Sequence, residues 1–185
     1  ITIDRSTPFN PAEFIGSDWS IWKGPANGDG LEGELEIYEP SSLKEFNAEH
    51  MLFEHFLIDD PNSKKYESVI SGEVKLARAK ESEKILLGGR SFLTLWNDYQ
   101  ANKENSFLEW LRKNRGITWE DFLGLVLRGP GSSRYLLFFY FEVGVWKWSY
   151  RWLFRFSDNW CLSNPSALLA SIKKQVLDSQ TLSSY

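Results

Sequence analysis

The chain has 185 residues, 42% hydrophobic and 25% charged, with a net charge of −4 and a single cysteine, Cys161. These values suit one folded domain, or one domain with an elaborated terminus, and exclude an internal disulfide framework and a cysteine-based zinc site. The basic residues are too scattered for a nucleic-acid footprint, and no run of about 18 apolar residues predicts a membrane span.

Residues 1–30 are rich in Pro, Gly, Asn and Asp, which favour turns and irregular backbone. Ile1-Thr-Ile-Asp-Arg5 lacks the basic and apolar regions of a signal peptide. No Met precedes it, so removal of some N-terminal sequence is expected. The compartment stays open. Pro11–Ile15 predicts one helical turn, because Pro suits the first helical position, and Trp19–Trp22 predicts a short strand. Leu35, Ile37, Met51 and Phe53 alternate with polar neighbours and predict strands, whereas 41–50 could equally be helical.

Residues 68–82 read as a helix, with Val69, Ile70, Val74, Leu76 and Ala77 among charges. Gly88-Gly89 breaks the chain before a helix over 91–100, where Phe92, Leu95, Trp96 and Tyr99 form one apolar stripe. The next helix runs from Ser106 to Asn114. Ser106 is a good N-cap, Phe107, Leu108 and Leu111 make its stripe, and Gly116 is a good stop.

Then the period changes. Trp119–Arg128, Arg134–Val143 and Val145–Phe154 predict strands, with turns at Gly129–Ser133 and at Gly144. A short helix is expected over Ala167–Leu177. Helices followed by an antiparallel meander indicate an α+β fold. The chain reads as a single domain, 1–185, with a scaffold portion at 1–118 and the strands with their C-terminal extension at 119–170.

Aromatic residues make up 16% of the chain, including nine Trp, and Trp146, Trp148, Trp152 and Trp160 crowd one short stretch. Side chains alternate across a sheet. Trp146, Trp148, Tyr150 and Trp152 therefore share a face that is expected to be buried. Val145, Lys147, Ser149 and Arg151 share the other, which is expected to face solvent. A strand held rigid by Trp, with replaceable outward residues, is a sound recognition platform.

No catalytic constellation assembles. His50 and His55 lie five apart, whereas a helical metal pair needs three or four. Asn27–Glu34 lacks the ligand pattern of an EF-hand loop, and Gly129–Ser133 lacks the Lys of a phosphate-binding loop. The acidic pairs Asp59-Asp60 and Glu120-Asp121 read as solvated surface. The expectation is a non-enzyme with no cofactor and no metal.

Several segments resemble the variable proteins of diversity-generating retroelements. In the C-terminal half they are Phe122-Leu-Gly-Leu-Val-Leu-Arg128, Arg134-Tyr-Leu-Leu137, Gly144-Val-Trp-Lys-Trp148, Trp152-Leu153 and Pro165-Ser-Ala-Leu-Leu-Ala170. Asp4–Phe9, Phe14–Gly16, Trp19–Pro25, Gly72-Glu73 and Leu87–Asn97 extend the likeness over most of the chain. In such systems a reverse transcriptase rewrites adenines in a copied template, and the copy replaces part of the gene. The resemblance implies a C-type-lectin-like binder for an unknown protein or glycan.

It also implies which residues vary. Diversified positions start from Asn codons, and changing only adenines cannot produce Trp, Lys, Glu, Gln or Met. Glu142, Lys147, Trp146, Trp148, Trp152 and Trp160 are therefore scaffold. Candidate ligand-binding positions are Tyr140, Val143, Val145, Ser149, Tyr150, Arg151, Phe154, Arg155, Phe156, Ser157, Asp158, Asn159, Cys161, Leu162, Ser163 and Asn164. Phe141 departs from the pattern, which has Trp there, and the stretch between Leu153 and Pro165 is a few residues longer. The alternative is a fixed carbohydrate-binding module that stacks sugars on exposed Trp. Apolar side chains at Phe154, Phe156 and Leu162 make self-association a further expectation.

Overall fold

Local signals at the helix ends are met closely by the computed structural model, which describes residues 1–23, 39–62, 64–154 and 160–170. After α1 (Pro11–Phe14), β1 (Ser20–Ile21), β2 (Met51–Glu54), β3 (Asp59–Asp60) and β4 (Lys65–Tyr66) come the longer helices. In α2 (Gly72–Glu81) the Ser71 hydroxyl accepts from the Val74 amide. After β5 (Ile85–Leu86), α3 spans Gly89–Ala101. Its N-terminus is capped from afar: the buried Glu39 carboxylate accepts from the Gly88 amide and the Ser91 hydroxyl. In α4 (Phe107–Arg115) Ser106 caps the start, and Gly116 ends the helix with φ 67. Left-handed backbone there costs a glycine nothing.

The meander is β6 (Trp119–Arg128), β7 (Arg134–Glu142) and β8 (Val145–Trp152), followed by β9 (Ser166–Leu169). The main sheet has the order β2-β9-β6-β7-β8, with β1 added to β6 and β5 to β9. Its pairings are antiparallel except β6 with β9. The fold is therefore mixed α+β with a mostly antiparallel sheet. Among the described residues, no helix is long and apolar enough to cross a membrane.

The helix expected over Ala167–Leu177 is corrected. Ser166–Leu169 is a fully buried strand, and 171–177 lie outside the described residues. A short run buried on both faces carries no period that separates strand from helix. The expected strand at Leu35 and Ile37, the Asn27–Glu34 turn and the loop residues 155–159 also lie outside them. Residues 41–50 form turns and a bridge from Glu45 to Thr2 rather than a helix.

The sheet separates two cores. On one face, Phe122, Leu125, Leu137, Phe139 and Trp146 pack with Phe92, Leu95 and Tyr99 of α3 and Leu108 and Leu111 of α4. On the other, Leu123, Val126, Leu136 and Leu168 pack with Leu76 and Ala79 of α2, joined by Leu153 and Trp160. Gly124 lies where β6 passes β5, and its amide donates to the Leu87 carbonyl at 3.0 Å. A Cβ there would collide with the Leu86 carbonyl.

Candidate functional site

Register decides which candidates meet. In the β7–β8 ladder Leu136, Phe138, Tyr140 and Glu142 face Arg151, Ser149, Lys147 and Val145 respectively, and β6 adds Trp119 beside Tyr140 and Asp121 beside Phe138. Tyr140, Val145, Ser149 and Arg151 thus share one face. Tyr150 does not. It lies on the Trp face, 42% exposed, with its ring 4.3 Å from Trp19 and 5.6 Å from Tyr135.

The expected solvent face is only half open. At one end α2, Leu153 and Trp160 cover it. At the other, Trp119, Tyr140, Lys147 and Ser149 are half-buried and Val145 is exposed. Arg151 sits between these zones, its guanidinium 4.4 Å from the Trp160 ring and 5.8 Å from that of Trp119. Trp119 stacks on Phe138 at 4.2 Å and lies 6.0 Å from Tyr140. Lys147 Nζ pairs with Glu142 at 2.8 Å along the rim.

Burial of the Trp residues is graded. Trp146 and Trp160 are buried, on opposite faces. Trp148 and Trp152 are half-buried. Trp148 rests on Phe14 at 4.7 Å, so it braces β8 rather than offering a free ring.

Beneath the open face lies a cluster that sequence reasoning missed. Asp121 and Lys75 are fully buried and form an ion pair at 2.5 Å. Asp121 Oδ2 also accepts from the Trp160 indole at 2.8 Å, and Oδ1 accepts from the Trp119 indole at 2.9 Å. Lys75 Nζ donates to the Asn164 carbonyl at 2.6 Å. Burial lowers the Lys75 pKa, and the Asp121 charge opposes that shift. The surface reading of Glu120-Asp121 is therefore corrected for both residues. Glu120 is fully buried, and its carboxyl is raised to about 8 by burial and then by the Asp121 charge.

Among the described residues, the remaining candidates fall into three groups. Val143 and Gly144 form the β7–β8 turn with φ 50 and 81, and Val143 is 91% exposed. Phe154 and Leu162 are 61% and 68% exposed. The segment from Cys161 to Asn164 is a turn in which the Cys161 amide donates to Asn164 Oδ1 at 3.3 Å. Asn164 is buried there as a brace, and Ser163 is exposed beside the Cys161 thiol, whose pKa its hydroxyl lowers. Arg155, Phe156, Ser157, Asp158 and Asn159 lie outside the described residues.

Elsewhere, an open cavity of about 450 Å³ is lined by Ser17, Asp18, Trp19, Arg128, Gly131 and Ser132 and includes none of the candidates. Among the described residues no group of His, Cys, Asp and Glu could hold a metal ion. Comparison with protein families, with curated proteins and with solved structures found no match.

Proposed function

We propose that this chain is a non-enzymatic ligand-binding protein with a C-type-lectin-like scaffold, diversified by mutagenic retrohoming. The recognition surface is the open half of the β6–β7–β8 face. Tyr140, Ser149 and Arg151 line it, Val143 and Val145 stand at the hairpin tip, and Phe154 and Leu162 are exposed where the chain leaves β8 and returns. The ligand is a protein or a glycan.

Val143 is the observation that carries this reading. A two-residue turn with both φ positive is type I′, and its first position calls for Asn, Asp or Gly. Here it holds a β-branched residue with φ 50 and 91% exposure, which is a backbone outlier for that side chain. Packing within the chain does not account for it. Adenine-directed rewriting of an Asn codon does, since Val is among its products. The aromatic bed under β8 supports the same view, because it keeps the strand rigid whatever its outward residues are.

The test is DNA sequencing of the gene and its flanks across a population of cells. A neighbouring reverse-transcriptase gene, with a near-copy of codons 135–170 that differs only at template adenines, is expected. An invariant segment with no near-copy would remove the reading. One observation favours a second reading, a fixed carbohydrate-binding module. Trp119 is half-buried on the open face with its indole tied to Asp121, as a sugar-stacking ring needs to be. In that case Trp119→Ala abolishes retention on a glycan array while the protein stays folded.

A further inference from the structure

Asp121 occupies an unusual position for a buried acid. Its carboxylate lies inside the second core, yet one oxygen is directed at Trp119 on the recognition face and the other at Trp160, which closes the rest of that face. Oδ1 takes the indole N–H of Trp119 and Oδ2 that of Trp160, and the guanidinium of Arg151 lies within 5.8 Å of one ring and 4.4 Å of the other. Lys75 balances the charge and, through the Asn164 carbonyl, secures the turn that precedes β9. Trp160 is further fixed by backbone bonds in both directions with Ile70, at 2.9 Å each. It also fills the space over Gly72, where a Cβ would lie 2.6 Å from its ring.

Stability alone does not explain such a pair. Taking two charges out of water is costly, and a well-packed apolar pair of similar volume often leaves a protein equally or more stable. An apolar pair, however, has no acceptor for two indole N–H groups. We infer that Asp121, charge-balanced by Lys75, is a positioning residue: it sets the two tryptophan rings that hold Arg151 at the edge of the recognition surface. The role rests on reading that face as the recognition surface.

The decisive variants remove both charges together, so that neither is stranded. In Lys75→Met/Asp121→Leu both acceptors go. In Lys75→Met/Asp121→Asn one carbonyl oxygen stays. Hydrogen exchange of the indole N–H protons and the ring-current shifts of the Arg151 side chain, read by NMR on the whole chain, report the positions directly. The Leu variant is expected to melt within about 4 °C of the parent, with both indoles unprotected and the Arg151 shifts lost. The Asn variant is expected to keep at most one indole protected.

Both indoles protected in either variant, or unchanged Arg151 shifts in the Leu variant, would overturn the proposal. So would failure of both variants to fold, which would make the pair a stability element. The readout uses no ligand. Absence of a genomic near-copy would sink the recognition reading by itself, whereas retained indole protection would sink the positioning role alone.

Discussion

The two faces of the β6–β7–β8 meander are built from the same strands by opposite means. One is closed by apolar matter: Phe92 of α3 stacks on Phe139 at 4.4 Å and meets Phe122 edge-on at 5.2 Å. The other is closed for half its length and organised around a charged pair, Lys75 with Asp121, under a rim of Trp119, Tyr140 and Arg151. Non-directional burial gives the first face its rigidity. Directional bonds give the second its geometry.

The largest expected effects test one face each. Phe92→Ala should destabilise the chain by about 3–5 kcal/mol in a denaturant titration, through lost burial and the cavity left behind. Lys75→Ala should cost about 3–5 kcal/mol in the same assay, because it strands a buried carboxylate. If Lys75→Ala is silent, the second face is not organised by charge and the contrast fails.

The next effect is a pH dependence. Glu120 titrates near 4.5 in the ordinary state and at about 8 in the fold. Between those values the folded chain holds a proton that the unfolded chain has released. Stability therefore falls as pH rises through that window, by about 1.4 kcal/mol per pH unit, and levels off above it. Denaturant titrations from pH 5 to 9 should show that slope reduced in Glu120→Gln, which stays neutral throughout. An unchanged slope would place its origin elsewhere.

The smallest effect belongs to the hairpin tip. Val143→Asn relieves the left-handed strain and should raise stability by about 1 kcal/mol, or about 2–4 °C in Tm by calorimetry. A lower Tm would remove the argument that the turn calls for Asn.

Much of the fold was legible in local chemistry. Ser106 and Gly116 bound α4 as capping rules require, and period-two patterning located β6, β7 and β8 with their ends displaced by at most two residues. The alternation along β8 also separated Trp146 and Trp148 from Ser149 and Arg151 correctly. The candidate site was legible only in part. Tyr150 and Arg151 are both candidate binding positions, yet alternation places them on opposite faces, so they do not meet on one surface. Of the apolar residues named within α2, Leu76 is buried but Val74 is exposed, and the buried face also takes in Gly72, Lys75 and Ala79.

The sequence by itself determined the two helices and three long strands between Gly89 and Trp152, the turns between them, and which residues of β8 share a face, because caps, glycines and side-chain period act within a few residues. Only the tertiary structure decided that Lys75 and Asp121 are buried together, that Ser166–Leu169 joins the sheet, and that Trp119 and Trp160 flank Arg151. Each of those depends on contacts between distant segments. A charge looks like surface in a sequence until the fold supplies its partner, and a buried tetrapeptide has no preferred form until a strand lies on either side of it.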